Sequence, residues 1–166
     1  MFQINDVVNY STTGVCKVVD IEQRPLGGVQ KQFYILKPIF DDNATVMVPT
    51  DNELLLSRMY YPLSFDDANQ FITELPQIAP FWIDDDRLRN EEYKKALVSG
   101  DRKIVASVIK ALYIHHKHQS LRGRKLRTMD ERVLKDAERL LYSEFAFVLG
   151  IDLKEASQFI LNTIDE

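Results

Sequence analysis

A chain of 166 residues with 45% apolar and 28% charged side chains has the make-up of an ordered globular protein, not of a disordered or fibrous one. No run approaches the roughly 20 apolar residues that cross a bilayer, no signal peptide opens the chain, and the single cysteine, Cys16, cannot form an internal disulfide, which implies a reducing cytoplasm. The net charge of −4 argues against indiscriminate nucleic-acid binding, although it averages over patches of opposite sign.

The first sixty residues read as strands. "DVVNYSTTGVCKVVDIEQR" holds two β-rich runs broken by Ser-Thr-Thr-Gly, a loop signal. Cys16 lies in its apolar run and reads as a small packed side chain. Gly27-Gly28 then supplies the positive φ angles of a tight hairpin between a segment ending near Arg24 and one from Val29 to Leu36. In "DDNATVMVPT" the acids form a turn, Thr45 to Val48 a strand, and Pro49 its end. Four or five short strands in so little chain suggest a small, highly bent barrel.

After Pro62 the hydrophobic period changes from two to between three and four. "SFDDANQFITEL" is a helix with Ser64 as cap, broken by the prolines of "PQIAPFW". "DDDRLRNEEYKKALVSG" is a second helix, started by an Asp and ended at Gly100; its acidic run reads as a solvated cluster complementing the helix dipole. A third runs from 102 to 118, followed by the loop "QSLRGRKLR". "TMDERVLKDAERLLYSEFAFVLG" is the clearest helix, with Thr128 and Glu131 as a capping box and Gly150 at its C-terminus. Asp152 opens the last. The expectation is an α+β chain of two domains, a β module over 1–60 and an all-α bundle over 64–166.

From Arg102 to Met129 the chain carries eight basic residues and no acid. Arg122, Arg124, Lys125 and Arg127 surround Gly123, and loop guanidiniums with backbone amides suit phosphate oxygens. The plainer reading is a solvated loop paired with the acids of "DERVLKDAE". Trp82 also has two readings: a ring packed into the bundle, or an exposed wedge against a base step. His115, His116 and His118 lack the third and fourth ligands of a zinc site and sit among cations, so no metal is expected. No nucleophile elbow, P-loop or dinucleotide fingerprint appears, so neither an enzyme, a cofactor nor a small-molecule substrate is expected.

The sequence resembles the CarD (CdnL-like) family of bacterial transcription regulators. Asp6, Val7, Val8, Tyr10, Gly14, Tyr34 and Leu36 match the opening of that family, with Asn5 in place of its glycine; "VMVPTDN", the "SGD" at 99–101, "VIKALY" and "ERLLYSEFAFVLGI" continue the likeness in order. The resemblance implies a Tudor-like (SH3-like) β-barrel, shared with transcription-repair coupling factors, that docks on the β subunit of RNA polymerase. It also implies a helical domain contacting promoter DNA, without strong sequence preference, at the upstream edge of the bubble. Family members stabilise the open complex, act in the bacterial cytoplasm on the nucleoid, and are not enzymes. Carried over by position, Arg24, Tyr34, Met47 and Pro49 would face polymerase, with Met47 where the family has a second arginine. Trp82, Arg87, Arg89, Arg122, Arg124, Lys125 and Arg127 would face DNA. The family's wedge tryptophan falls near Asp86, and Trp82 stands four residues earlier. The competing expectation is a protein-only adaptor whose β module binds a partner and whose bundle is structural.

Overall fold

A computed structural model describes residues 1–165 and has an α+β architecture, an antiparallel sheet followed mainly by helices. The strands are β1 (Val7–Tyr10), β2 (Gly14–Leu26), β3 (Val29–Pro38), β4 (Val46–Pro49) and β5 (Met59–Tyr60), in the order β4-β3-β2-β1-β5. Gly27 and Gly28, at φ 62° and 80°, close the β2–β3 hairpin with Leu26 opposite Val29. Two successive positive φ angles are cheap only without a Cβ, and they match the twist of the flanking strands. Asn5 sits at φ 78°, a region that asparagine tolerates better than most side chains.

The expected barrel does not close. β4 and β5 are opposite edges of the sheet. β5 is only two residues long, Pro49 ends β4, and a one-turn helix, α1 (Glu53–Leu56), capped by Asn52, occupies the chain between them. One face of the sheet buries Val8, Tyr10, Cys16, Val18, Tyr34, Leu36, Val48 and Met59. Burial pushes the Cys16 thiol up to about 12, so it stays a protonated, packed group at neutral pH.

The helices are α2 (Phe65–Glu74), α3 (Asp86–Val98), α4 (Arg102–Leu121), α5 (Thr128–Leu149) and α6 (Leu153–Ile164). Ser64, Asp85, Asp101 and Asp152 each cap the helix that follows by accepting from its first-turn amides. Their apolar stripes meet in a second core containing Phe71, Leu75, Tyr93, Ile109, Leu112, Leu141, Phe145 and Ile160. Two expectations need correction. α4 runs three residues past His118, because its end is set by a glycine turn at Gly123 and not by the histidines. Thr128 does not cap α5: it is the first helical residue, and Arg127 takes the cap position without a side-chain bond.

The sheet and helices are joined through buried polar groups. Glu144 on α5, 2% exposed, accepts from Asn9 Nδ2 on β1 (2.8 Å) and from Leu63 N in the link (3.0 Å). It also accepts from Arg102 Nε (2.7 Å) and Nη2 (2.6 Å) at the start of α4. One carboxylate thus holds three separate segments. Alongside, Val15 N donates to Ser143 Oγ at 3.1 Å. Gly14 (φ 91°) lies so close that a Cβ there would stand 2.5 Å from that oxygen.

Candidate functional site

Register separates the residues expected at the polymerase face. Directly opposed residues in antiparallel strands share a face, and neighbours along a strand alternate. Phe33 opposes Glu22 and Pro49, Ile35 opposes Asp20 and Met47, and Lys31 opposes Arg24. These side chains therefore form one face. Tyr34 opposes Ile21 and Val48 on the other, within the core, 4% exposed. Its ring packs edge-on against Phe2 at 5.8 Å, and its hydroxyl accepts from Phe2 N at 3.3 Å. The structure thus places Tyr34, expected at the polymerase face, in the core beneath the face that Arg24, Met47 and Pro49 share.

Sequence reading missed Phe33 and Ile35 on that face. The signal was present in "FYIL", which is apolar at four successive positions; a strand with only one buried face would alternate. Arg24 pairs with Glu22 (2.7 Å) and Lys31 with Asp51 (2.9 Å). Both pairs are exposed, so they contribute little to folding and can be exchanged for a partner's groups at small cost.

The basic stretch divides sharply. Arg102 is held by Glu144, Lys103 pairs with Glu74 (3.2 Å), Lys117 with Asp165 (2.9 Å), and Arg127 with Asp86. Lys110 Nζ donates to the carbonyls of Leu75, Pro76 and Ile78 at 2.8–3.1 Å. It closes the short 3-10 turn (Leu75–Gln77) after α2. Among the described residues only Arg122, Arg124 and Lys125 of this stretch make neither an ion pair nor a side-chain hydrogen bond, and all three are exposed. They stand on a fixed turn. Gly123 N donates to Ser120 O (3.0 Å) and Arg124 N to Gln119 O (2.8 Å). With Gly123 at φ 69° this is the paired bond of a glycine-terminated helix. The backbone is satisfied, and the cationic side chains are left for solvent or a partner.

Arg89 is not available to DNA. It is 2% exposed, and all five of its N–H donors are used. Nε and Nη2 fork onto Asp130 at 3.0 and 2.8 Å, Nη2 also donates to Asp86 at 2.8 Å, and Nη1 donates to the carbonyls of Ile83 (2.9 Å) and Asp84 (3.4 Å). Its sequence neighbour Arg87 is exposed and pairs only with Glu91, at 3.3 Å. The acids before α3 are likewise not a merely solvated run. Asp85 caps the helix, Asp86 ties Arg89 to Arg127, and Asp84 accepts from Trp82 Nε1 at 2.8 Å.

Trp82 is partly buried against the helical core. The Arg89 guanidinium lies 4.4 Å from its ring centroid, and the His115 ring lies 4.2 Å away, tilted by 30°. Burial holds the His115 imidazole below its usual pKa, so its neutral form packs there at neutral pH. The structure thus stacks Arg89 on Trp82 and joins Arg89 to Arg127 through Asp86. Arg122, Arg124 and Lys125 stand apart on their turn.

No group of three or more potential metal ligands occurs among the described residues. No described helix is long and apolar enough to cross a membrane. Compared with known families, residues 2–60 match the model described as the CarD-like/TRCF RID domain, and residues 84–161 match that of the CarD C-terminal domain. No curated protein matches the chain.

Proposed function

The chain belongs to the CarD-like family of RNA polymerase-interacting transcription regulators, and from that premise we propose that it bridges the polymerase β subunit and promoter DNA at the upstream edge of the bubble, stabilising the open complex. In this reading residues 1–60 form a Tudor-like unit whose barrel is left open, and residues 64–166 form the DNA-contacting unit. Arg24, Met47 and Pro49 meet polymerase, while Phe33 and Ile35, 7% and 6% exposed, lie buried under that same face and support it. Met47, 38% exposed, replaces a cation by a flexible apolar contact. Tyr34 supports that face from beneath.

One observation carries the DNA half: the turn at Gly123 presents three unpaired cations, while the other five of the stretch are engaged within the chain. Three phosphate contacts are weak on their own. They become sufficient when polymerase holds the chain beside its DNA, because tethering raises the effective concentration. An acidic chain with one small basic turn therefore ignores bulk DNA and grips DNA locally. Arg87 extends this surface only by exchanging Glu91 for a phosphate.

Reversing Arg124→Glu and Lys125→Glu together is expected to weaken binding to a bubble-containing duplex by about tenfold or more. It should also reduce the salt dependence by about two phosphate contacts, while a β-subunit fragment binds as before. Anisotropy titrations at several salt concentrations measure both. The protein-only adaptor gains support from the internal engagement of five cations. Unchanged DNA affinity in the double variant, with intact β binding, would favour it.

A further inference from the structure

Between α4 and α5, beside the basic turn, lies a groove of about 540 Å³, within the size range of clefts that take small organic groups. Tyr113 and His116 of α4, Leu126 of the turn and Leu134 of α5 give it aromatic and apolar walls. Tyr113 is half-buried and His116 exposed. The charged lining is balanced, with Lys125 and Lys135 against Glu131 and Glu138, and Lys135 is already paired with Glu131 at 3.3 Å. Such an interior has little to offer a bare phosphate. Its lip is different, since Lys125 stands there unpaired and Arg122 and Arg124 sit on the same turn.

We propose that this groove takes an unpaired nucleotide of single-stranded DNA, with its base among Tyr113, His116 and Leu126 and its phosphates on Arg122, Arg124 and Lys125. Aromatic walls with a cationic lip are the combination by which proteins hold single strands, because every base has a π face and every nucleotide a charge. A paired base cannot enter, since its faces are stacked within the helix. Glu138 adds an acceptor for an exocyclic amine; burial raises its pKa, with Lys135 opposing. The Tyr113 ring carries only the Lys117 ammonium, 5.6 Å from its centroid, whereas the Trp82 ring is held by Arg89, His115 and Asp84. This inference rests on the reading that the Gly123 turn meets DNA, and it extends what is recognised there from phosphates alone to a melted base.

The test compares the full chain on a labelled duplex and on the same duplex carrying a short unpaired fork, with 2-aminopurine at one unpaired position. Wild type is expected to bind the fork about tenfold more tightly, in line with the stacking of one base, and to change the 2-aminopurine emission. Tyr113→Ala should abolish that preference and that change while leaving duplex affinity unaltered. His116→Ala, at an exposed position, should reduce them without affecting the melting temperature. Equal affinity of wild type for fork and duplex overturns the proposal, as does a Tyr113→Ala loss that is identical on both DNAs. The bridging reading survives either result if duplex binding stays salt-sensitive and dependent on Arg124 and Lys125. Absence of any such binding defeats both. If Tyr113→Ala instead weakens capture of the β fragment and spares the fork preference, the groove is a protein-docking slot and the proposal is overturned.

Discussion

Asp130→Ala is expected to destabilise the helical core by about 3–5 kcal/mol, the usual penalty when one partner of a buried ion pair is removed. The loss would strand the Arg89 guanidinium at 2% exposure with only Asp86 and two carbonyls as partners. Denaturant unfolding followed by helical circular dichroism gives the number. Replacing both members by apolar groups of similar size, Arg89→Met with Asp130→Leu, should recover most of the loss, because no buried charge then lacks a partner. This pair of results separates a structural arginine from a DNA-contacting one. If Arg89 served DNA, the double variant would fold and yet lose bubble binding. A loss below about 1 kcal/mol for Asp130→Ala would mean that the guanidinium escapes to solvent easily, and the exclusion of Arg89 from the DNA surface would fall with it.

A comparable effect is expected at the joint. Glu144→Ala takes the acceptor from three groups, the buried Asn9 amide, the part-buried Leu63 backbone N–H and Arg102, which keeps only the Tyr61 carbonyl and some solvent. Breaking the pair should again cost about 3–5 kcal/mol. Glu144→Gln keeps the shape but removes the charge, and should fall between that variant and wild type. The two variants carry a further expectation, because Glu144 ties β1 and the link to α4 and α5. Its loss should expose the segment 61–64 to limited proteolysis under conditions in which wild type resists. A rigid connection matters to a bridging factor, since tethering concentrates the Gly123 turn on DNA only if the turn is aimed. Full protease resistance in Glu144→Ala would show that the neighbouring contacts, including Val15 N to Ser143 Oγ, hold the joint without it.

The division of labour between sequence and structure follows from what each residue's partner is. Amphipathic stripes are local, so the five long helices were legible, with Ser64, an Asp before α3 and Asp152 at three of their starts, as was the Gly27-Gly28 hairpin. Ion pairing is not local. Arg89 reads as one more exposed base beside Arg87, and only the fold brings Asp130, 41 residues away, against it. The basic stretch likewise loses five of its eight charges to acids and carbonyls from other parts of the chain. Parity decided the sheet. Tyr34 and Met47 belong to neighbouring strands and to one motif-derived list, yet their register sends them to opposite faces. The open barrel followed from β5 being a two-residue strand, a length too short to be visible as a pattern.

Bridging requires both faces on one molecule, and this can be measured through the lifetime of the open complex on a single promoter. Wild type is expected to lengthen it, whereas Arg24→Glu and the Arg124→Glu/Lys125→Glu variant should each fail to do so. An equimolar mixture of the two variants should fail as well, because neither chain then joins polymerase to DNA. Restoration of the lifetime by that mixture, or full activity of the variant reversed at Arg124 and Lys125, would contradict the account.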